Sequence, residues 1–224
     1  MAPALTDLVV GDEASAWEAA GFHVDGDRVA IGGIVVRLVG ADDPRGRGVL
    51  GWTMAGLTGD GPTGDGPIDL DGIPTAPRSE PATRDESPTH PNGTVGLDHV
   101  VVVSPDLDRT IGRFEVAGLE VRRIRDVGGP DAPRRQVFFW IGDTILELVG
   151  PAEPQGDGSS RIWGLSMVVA DIDRTAAFLG DRTGRVKDAV QPGRRITTLR
   201  HRDLDITVPI AFMSPHVKAG ESGA

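Results

Sequence analysis

Apolar residues in this chain come in short runs broken by glycine, and two of the runs lead into the same polar signature. Leu97-Asp98-His99-Val100-Val101-Val102-Val103 is dominated by β-branched residues, which suit a strand. Helical spacing follows it from Ser104-Pro105-Asp106-Leu107-Asp108-Arg109-Thr110. Ser104 is the expected N-cap, Pro105 suits the first helical position, and Asp106 and Asp108 favour the positive helix end. Gly118 is expected to end the helix.

The pattern recurs. Gly164-Leu165-Ser166-Met167-Val168-Val169-Ala170 leads into Asp171-Ile172-Asp173-Arg174-Thr175, and matching it to Asp106-Leu107-Asp108-Arg109-Thr110 fixes the register of two copies. Each copy then carries an arginine pair, Arg134-Arg135 and Arg194-Arg195, and closes on an apolar run ending in proline at Pro151 and Pro215. A shorter third copy opens the chain. Leu5 to Val10 reads as a strand, Asp12 to Ala20 as a short helix with Trp17 on its apolar side, and Ile31 to Gly40 mirrors Ile141 to Gly150. Val49 to Leu57 adds one more expected strand.

Between these copies the composition changes. Thr58–Pro62 and Thr63–Pro67 are tandem TGDGP units, and proline, serine and charge dominate up to Gly93. Such a stretch buries little and reads as a linker, with Ile68, Leu70 and Ile73 available to dock locally. The expected organisation is therefore an N-terminal partial module at 4–57, a linker at 58–94, and full modules at 95–151 and 160–216. Gly46 to Gly51 matches Gly-x-Gly-x-x-Gly, but no helix pattern follows, so it reads as a hairpin turn and not as a dinucleotide loop. Asn92-Gly93-Thr94 reads as a turn.

Composition narrows the chemistry. The 224 residues contain no cysteine, which removes disulfides, thiolate metal sites and cysteine nucleophiles. The formal net charge of −10 opposes general nucleic-acid binding. No apolar run is long enough to span a bilayer, and Met1 to Thr6 lacks the features of an export signal, so a cytoplasmic location without membrane contact is expected. No nucleophile elbow, phosphate loop or His-Glu-x-x-His helix is present.

A repeated β-α-β-β-β pattern opening on Leu97-Asp98-His99-Val100 resembles the vicinal oxygen chelate superfamily, which includes glyoxalase I, extradiol dioxygenases, methylmalonyl-CoA epimerase and metal-free bleomycin-resistance proteins. The resemblance covers about 95–215 well and 5–57 more weakly. It implies an α+β fold in which repeated βαβββ modules form a curled mixed sheet around a cleft. It also implies metal ligands on the first and last strands of each module, at His99 and Glu147 in the middle copy. The same positions fall on Gly164 and Ala211 in the last copy, and on Asp7 and Arg37 in the first. A divalent metal (Zn, Ni, Mn or Fe) is implied for the enzymes of the family and none for its resistance members. His90, His201 and Asp7 are the remaining candidates for a third ligand.

Two functions from different classes follow. One is a metal-dependent enzyme of lyase, isomerase or dioxygenase type acting on a small oxygen-rich molecule, with Glu147 as ligand or base. The other is a metal-free small-molecule-binding protein. A purely structural module is the third reading. Arg135, Arg195 and Trp140 are the expected substrate contacts, because guanidinium groups bind carboxylate or phosphate in a bidentate way and aromatic rings stack. The bland alternative for the arginines is pairing with nearby aspartates, and for one face of Phe138-Phe139-Trp140 it is core packing. A homodimer is expected from the family's habit of pairing modules between subunits.

Overall fold

A computed structural model describes residues 2–58, 68–79 and 88–216 of the chain. Most of the tandem TGDGP repeat lies outside the described residues. The first sheet is formed by β1 (Ala4–Val10), β2 (Arg28–Ile31), β3 (Ile34–Leu38), β4 (Val49–Ala55), β5 (Ile68–Leu70) and β6 (Ile73–Arg78), with helix α1 (Ala14–Ala19) after β1. The second is formed by β7 (Thr94–Val103), β8 (Val121–Val127), β9 (Arg134–Ile141), β10 (Thr144–Pro151), β11 (Arg161–Val169), β12 (Lys187–Asp188), β13 (Arg195–Thr198) and β14 (Ile210–Met213). Helices α2 (Leu107–Val116) and α3 (Ile172–Leu179) follow β7 and β11.

Both sheets follow one plan. In the second, β7 and β11 run antiparallel at the centre, and each is flanked by a parallel strand, β10 on β7 and β14 on β11. The order is β12-β13-β14-β11-β7-β10-β9-β8. In the first, β1 and β4 are the central antiparallel pair, flanked in parallel by β3 and β6. The stretch expected to be a linker thus supplies β5 and β6 to the first sheet, because Leu70 and Ile73 have an apolar layer to enter and are buried in it. The segment Gly46 to Gly51 is not a hairpin turn, since β1 lies between β3 and β4. Glycine gives the chain its repeat Ile31-Gly32-Gly33-Ile34 and Ile141-Gly142-Asp143-Thr144 for a physical reason. Both are two-residue turns between antiparallel strands, with Gly32, Gly33 and Gly142 at positive φ, where other residues are strained.

Local signals place the helices. Asp106 caps α2 by accepting from the Arg109 N–H at 3.0 Å, and Asp171 caps α3 by accepting from Asp173 and Arg174. The cap is therefore two residues later than Ser104, whose hydroxyl instead accepts from the Asp106 N–H. Thr110 and Phe114 on α2 and Ile172, Thr175 and Leu179 on α3 are buried at helical spacing, each apolar side chain contributing roughly 1.5–3 kcal/mol relative to exposure.

Buried carboxylates tie the two sheets together. Asp12, fully buried, accepts from the Trp17 indole, from Arg47, and from the Thr207 N–H and hydroxyl near the other end of the chain. Asp71, in the β5–β6 turn, accepts a bidentate pair from Arg109 at 2.7 and 3.1 Å and a hydroxyl from Ser160. Phe22 stacks on Phe212 of β14 and meets Trp17 at a tilt. Asn92 is buried and its amide donates to the Ala20 carbonyl, so the sequon is a structural turn.

Candidate functional site

The second sheet curls around a cleft of about 800 Å³. Three cross-strand rows set the register around it, and the third reaches the cleft only at Gln136 and Arg125. Ala211, Ser166, His99, Ile145 and Trp140 form the first, on β14, β11, β7, β10 and β9. Gly164, Val101, Glu147, Phe138 and Arg123 form the second, and Arg161, Val103, Val149, Gln136 and Arg125 the third. Side chains two apart on a strand share a face, so His99 and Glu147 look onto the same side of adjacent parallel strands, one row apart. Both line the cleft.

His99 is held by its neighbour. Asp98 is the extra residue where β7 and β11 slip register between Leu97 and His99, and such a bulge re-aims a side chain. The Asp98 carboxylate pairs with His99 Nδ1, which leaves Nε2 as the ring atom for the cleft. Arg194 closes over Asp98 from the last module. Its Nη1 donates to Asp98 Oδ2 at 3.1 Å, and Nη2 lies 2.9 Å from Oδ1 as an ionic contact outside hydrogen-bond geometry. Burial pushes the Asp98 carboxyl up, but the hydrogen bonds from His99 and Arg194 outweigh it and hold it down at about 2.

Glu147 sits in a different balance. Burial raises it above the usual carboxylate range. The facing His99, the Gln136 amide donating at 2.6 Å and the positive charge of Arg125 pull in the other direction without cancelling that rise. Directly across the strand pair from His99, the buried Ser166 hydroxyl lines the cleft with no hydrogen-bond partner among the described residues.

The expected site residues divide. His99, Glu147 and Trp140 come together in the cleft. Arg135 and Arg195 do not. Arg135 pairs with Asp126 at 2.9 Å and Arg195 with Asp173 at 2.6 Å, and neither lines the cleft. The arginines that do line it are Arg122, Arg123 and Arg125 of the edge strand β8. A strand reading Val121-Arg122-Arg123-Ile124-Arg125 carried that signal, with Arg123 and Arg125 at alternating positions. Phe138 and Trp140 face the cleft, whereas Phe139 is buried edge-on against Phe114 at 5.5 Å.

The three candidates for a third metal ligand lie elsewhere. His90 is buried between the units, accepting from the His23 N–H at Nδ1 and donating to the Ala30 carbonyl at Nε2. Asp7 pairs with Arg78 on the first sheet, and His201 lies in an adjoining groove outside the cleft. The last module's positions hold Gly164 and Ala211 at the cleft, as the register expected. A Cβ built on Gly164 would come within 3.0 Å of the Pro209 carbonyl oxygen, so backbone fills that place. Among the described residues no three His, Asp or Glu side chains converge. A catalytic metal needs about three protein ligands, and His99 and Glu147 alone do not fit that requirement.

No family model matches the chain, and no curated protein does. Solved structures do. A variant of 4-hydroxymandelate synthase from Streptomyces coelicolor aligns over 98% of this chain and 94% of its own, at 15% identity and a TM-score of 0.64. A xylose isomerase-like TIM barrel/4-hydroxyphenylpyruvate dioxygenase fusion protein aligns over 99% of this chain and 49% of its own, at 14% identity and 0.62. An extradiol ring-cleaving dioxygenase from B. fuscum aligns over 99% and 74%, at 16% identity and 0.56. These neighbours are vicinal oxygen chelate proteins, and the chain shares their fold.

Proposed function

We propose that the cleft of the second sheet binds a small oxygen-rich anion with an apolar body, and that it does so without a tightly held metal. The observation that carries this reading is the pair Arg123 and Arg125. They line the cleft on the same face as Glu147, and neither forms an ion pair among the described residues, in a protein of net charge −10. Phe138, Trp140 and Ile145 supply an apolar wall, and His99 Nε2, Glu147 and Gln136 supply the few polar groups that orient a ligand in such a cavity. The donor count at His99, Glu147, Gly164 and Ala211 favours this over the metal-dependent enzyme.

Two measurements on untagged protein test it. Phenylacetate and its neutral amide are titrated by calorimetry. The acid is expected to bind at least five-fold more tightly, with the difference lost in Arg123→Ala/Arg125→Ala. Equal affinity for acid and amide would reject the anion reading. In parallel, protein loaded separately with Zn²⁺, Ni²⁺, Mn²⁺ and Fe²⁺ is dialysed and its metal counted. Retention of about one equivalent, lost in both His99→Ala and Glu147→Ala, would establish the metal-dependent enzyme instead.

A further inference from the structure

A second concavity adjoins the cleft. It is a groove of about 400 Å³ lined by Arg161, Trp163, His201, Arg202, Asp205, Ile206, Thr207 and Pro209, and it shares Trp163 and Pro209 with the cleft. Trp163 is the extra residue where β11 slips against β7 between Ile162 and Gly164. That bulge turns the indole out of the ladder, so a side chain that a regular strand would pack is 46% exposed and forms the saddle between the two spaces.

The charges of the groove are one-sided. Arg161 and Arg202 have no acidic partner among the described residues, and both are exposed. The single carboxylate, Asp205, is already answered. Arg47 reaches across from the β3–β4 loop, lies 3.3 Å from the Asp205 carboxylate, donates to the Asp205 carbonyl at 2.6 Å, and is itself anchored on buried Asp12. His201 donates Nδ1–H to the Ile206 carbonyl, which leaves Nε2 without a partner among the described residues. Two guanidinium groups with no acidic partner among the described residues line one groove beside an exposed tryptophan, and guanidinium forks match phosphate oxygens.

We propose that this groove binds the phosphate tail of an elongated ligand whose body lies in the cleft, with the chain of that ligand crossing Trp163. The inference rests on the cleft reading for the body but not for the phosphate. Arg161 and Arg202 clamp the phosphate, and Trp163 carries the linking segment. The net charge of the protein argues against a nucleic-acid backbone as the source of that phosphate.

The experiment uses para-substituted phenylacetates that end in an alkyl phosphate, the same molecules ending in a hydroxyl, and inorganic pyrophosphate alone. Binding is followed by calorimetry and by the Trp163 indole N–H resonance, assigned with Trp163→Phe. The wild type is expected to bind the longer phosphates at least ten-fold more tightly than the matching alcohols. Arg161→Ala/Arg202→Ala, both exposed and therefore tolerated by the fold, is expected to lose that factor and to bind the alcohols within two-fold of wild type. Equal binding of phosphate and alcohol by the wild type would overturn the proposal, as would an undiminished preference in the double variant. If the alcohols fail to bind but pyrophosphate still shifts Trp163 in the wild type and not in the double variant, the groove stands and the cleft reading falls.

Discussion

Arg194 and Asp98 form an ion pair sealed between the two modules of the second sheet, with side chains only 1% and 5% exposed. Arg194 also donates to the Ser214 carbonyl and the Gln191 side chain, so the last module grips the strand that carries His99. Removing one partner of such a pair leaves a buried charge uncompensated, at a cost of about 3–5 kcal/mol. Arg194→Met is expected to lose that much in urea unfolding. Arg194→Met/Asp98→Leu should recover most of it, because replacing both partners removes the stranded charge. A double variant as unstable as the single one would show that the pair is not what Arg194 contributes.

The same pair makes stability depend on acid in a defined window. Asp98 is held at about 2 in the folded protein, below the unfolded value of about 3.9. A carboxyl depressed on folding stabilises above its unfolded value, and that contribution is lost as the pH falls toward 2. Unfolding free energy should therefore decline on acidification from about pH 4 to pH 2, and Asp98→Asn should flatten this part of the curve. Asp71, also lowered by Arg109, Thr110 and Ser160 against its burial, adds to the same decline, so the Asp98→Asn curve is read against Asp71→Asn. An unchanged slope in Asp98→Asn would remove this account.

Glu147 carries the opposite sign. Burial holds its carboxyl above the usual range, so folding raises its preference for the protonated form relative to the unfolded chain. That preference stabilises below the unfolded value and is lost as pH rises through the folded one. As the pH rises, burying the Glu147 carboxylate is thus a net cost to stability. Glu147→Gln is expected to raise the melting temperature at pH 7 and to show a shrinking gain toward pH 4. A melting temperature lowered at pH 7 and restored in acid would contradict the sign.

How much of this was legible in the sequence follows from which interactions are local. Repeated strand–helix signatures mark β7–α2 and β11–α3 because β-branched runs, acidic caps and terminal glycines act within a few residues. The pairing of His99 with Ser166 and of Gly164 with Val101 agrees with the alignment of the two copies residue by residue, so the places of His99, Glu147, Gly164 and Ala211 were readable. Which arginine of each pair matters was not. Arg194 is buried and Arg195 is exposed, and only the three-dimensional approach of β7 decides between them. Nor could composition show that a proline-rich stretch enters a sheet, since Asp71 is fixed there by Arg109 and Ser160 from distant parts of the chain.

Arg135 and Arg195 provide a control. Each is spent on an aspartate outside the cleft, and exposed pairs of this kind contribute little. Arg135→Ala and Arg195→Ala should leave both the melting temperature and phenylacetate affinity at wild-type values, whereas Arg125→Ala should weaken the acid and not the amide. A loss of acid binding in Arg195→Ala would mean that the cationic side of the site has been placed on the wrong strand.

Gly164 and Ala211, where the resemblance would put ligands in the last module, differ in whether a donor side chain can be added. At Gly164 an added side chain meets the Pro209 carbonyl at 3.0 Å, backbone that cannot swing away, so Gly164→His is expected to destabilise by roughly 1–3 kcal/mol as an overpacked site. Ala211 already has a side chain, is only partly buried and faces the cleft. Ala211→Glu should therefore fold normally and bring a third donor to His99 and Glu147. Three protein ligands with an open position are what a catalytic zinc site uses. The variant is expected to retain about one Zn²⁺ through dialysis and to gain thermal stability with added zinc by mass action, and His99→Ala should abolish both effects. Failure of Ala211→Glu to hold metal, in a variant that melts like the wild type, would mean that the carboxylate cannot reach the half-site across the curl of the sheet, and the row-by-row geometry proposed for the cleft would have to be redrawn.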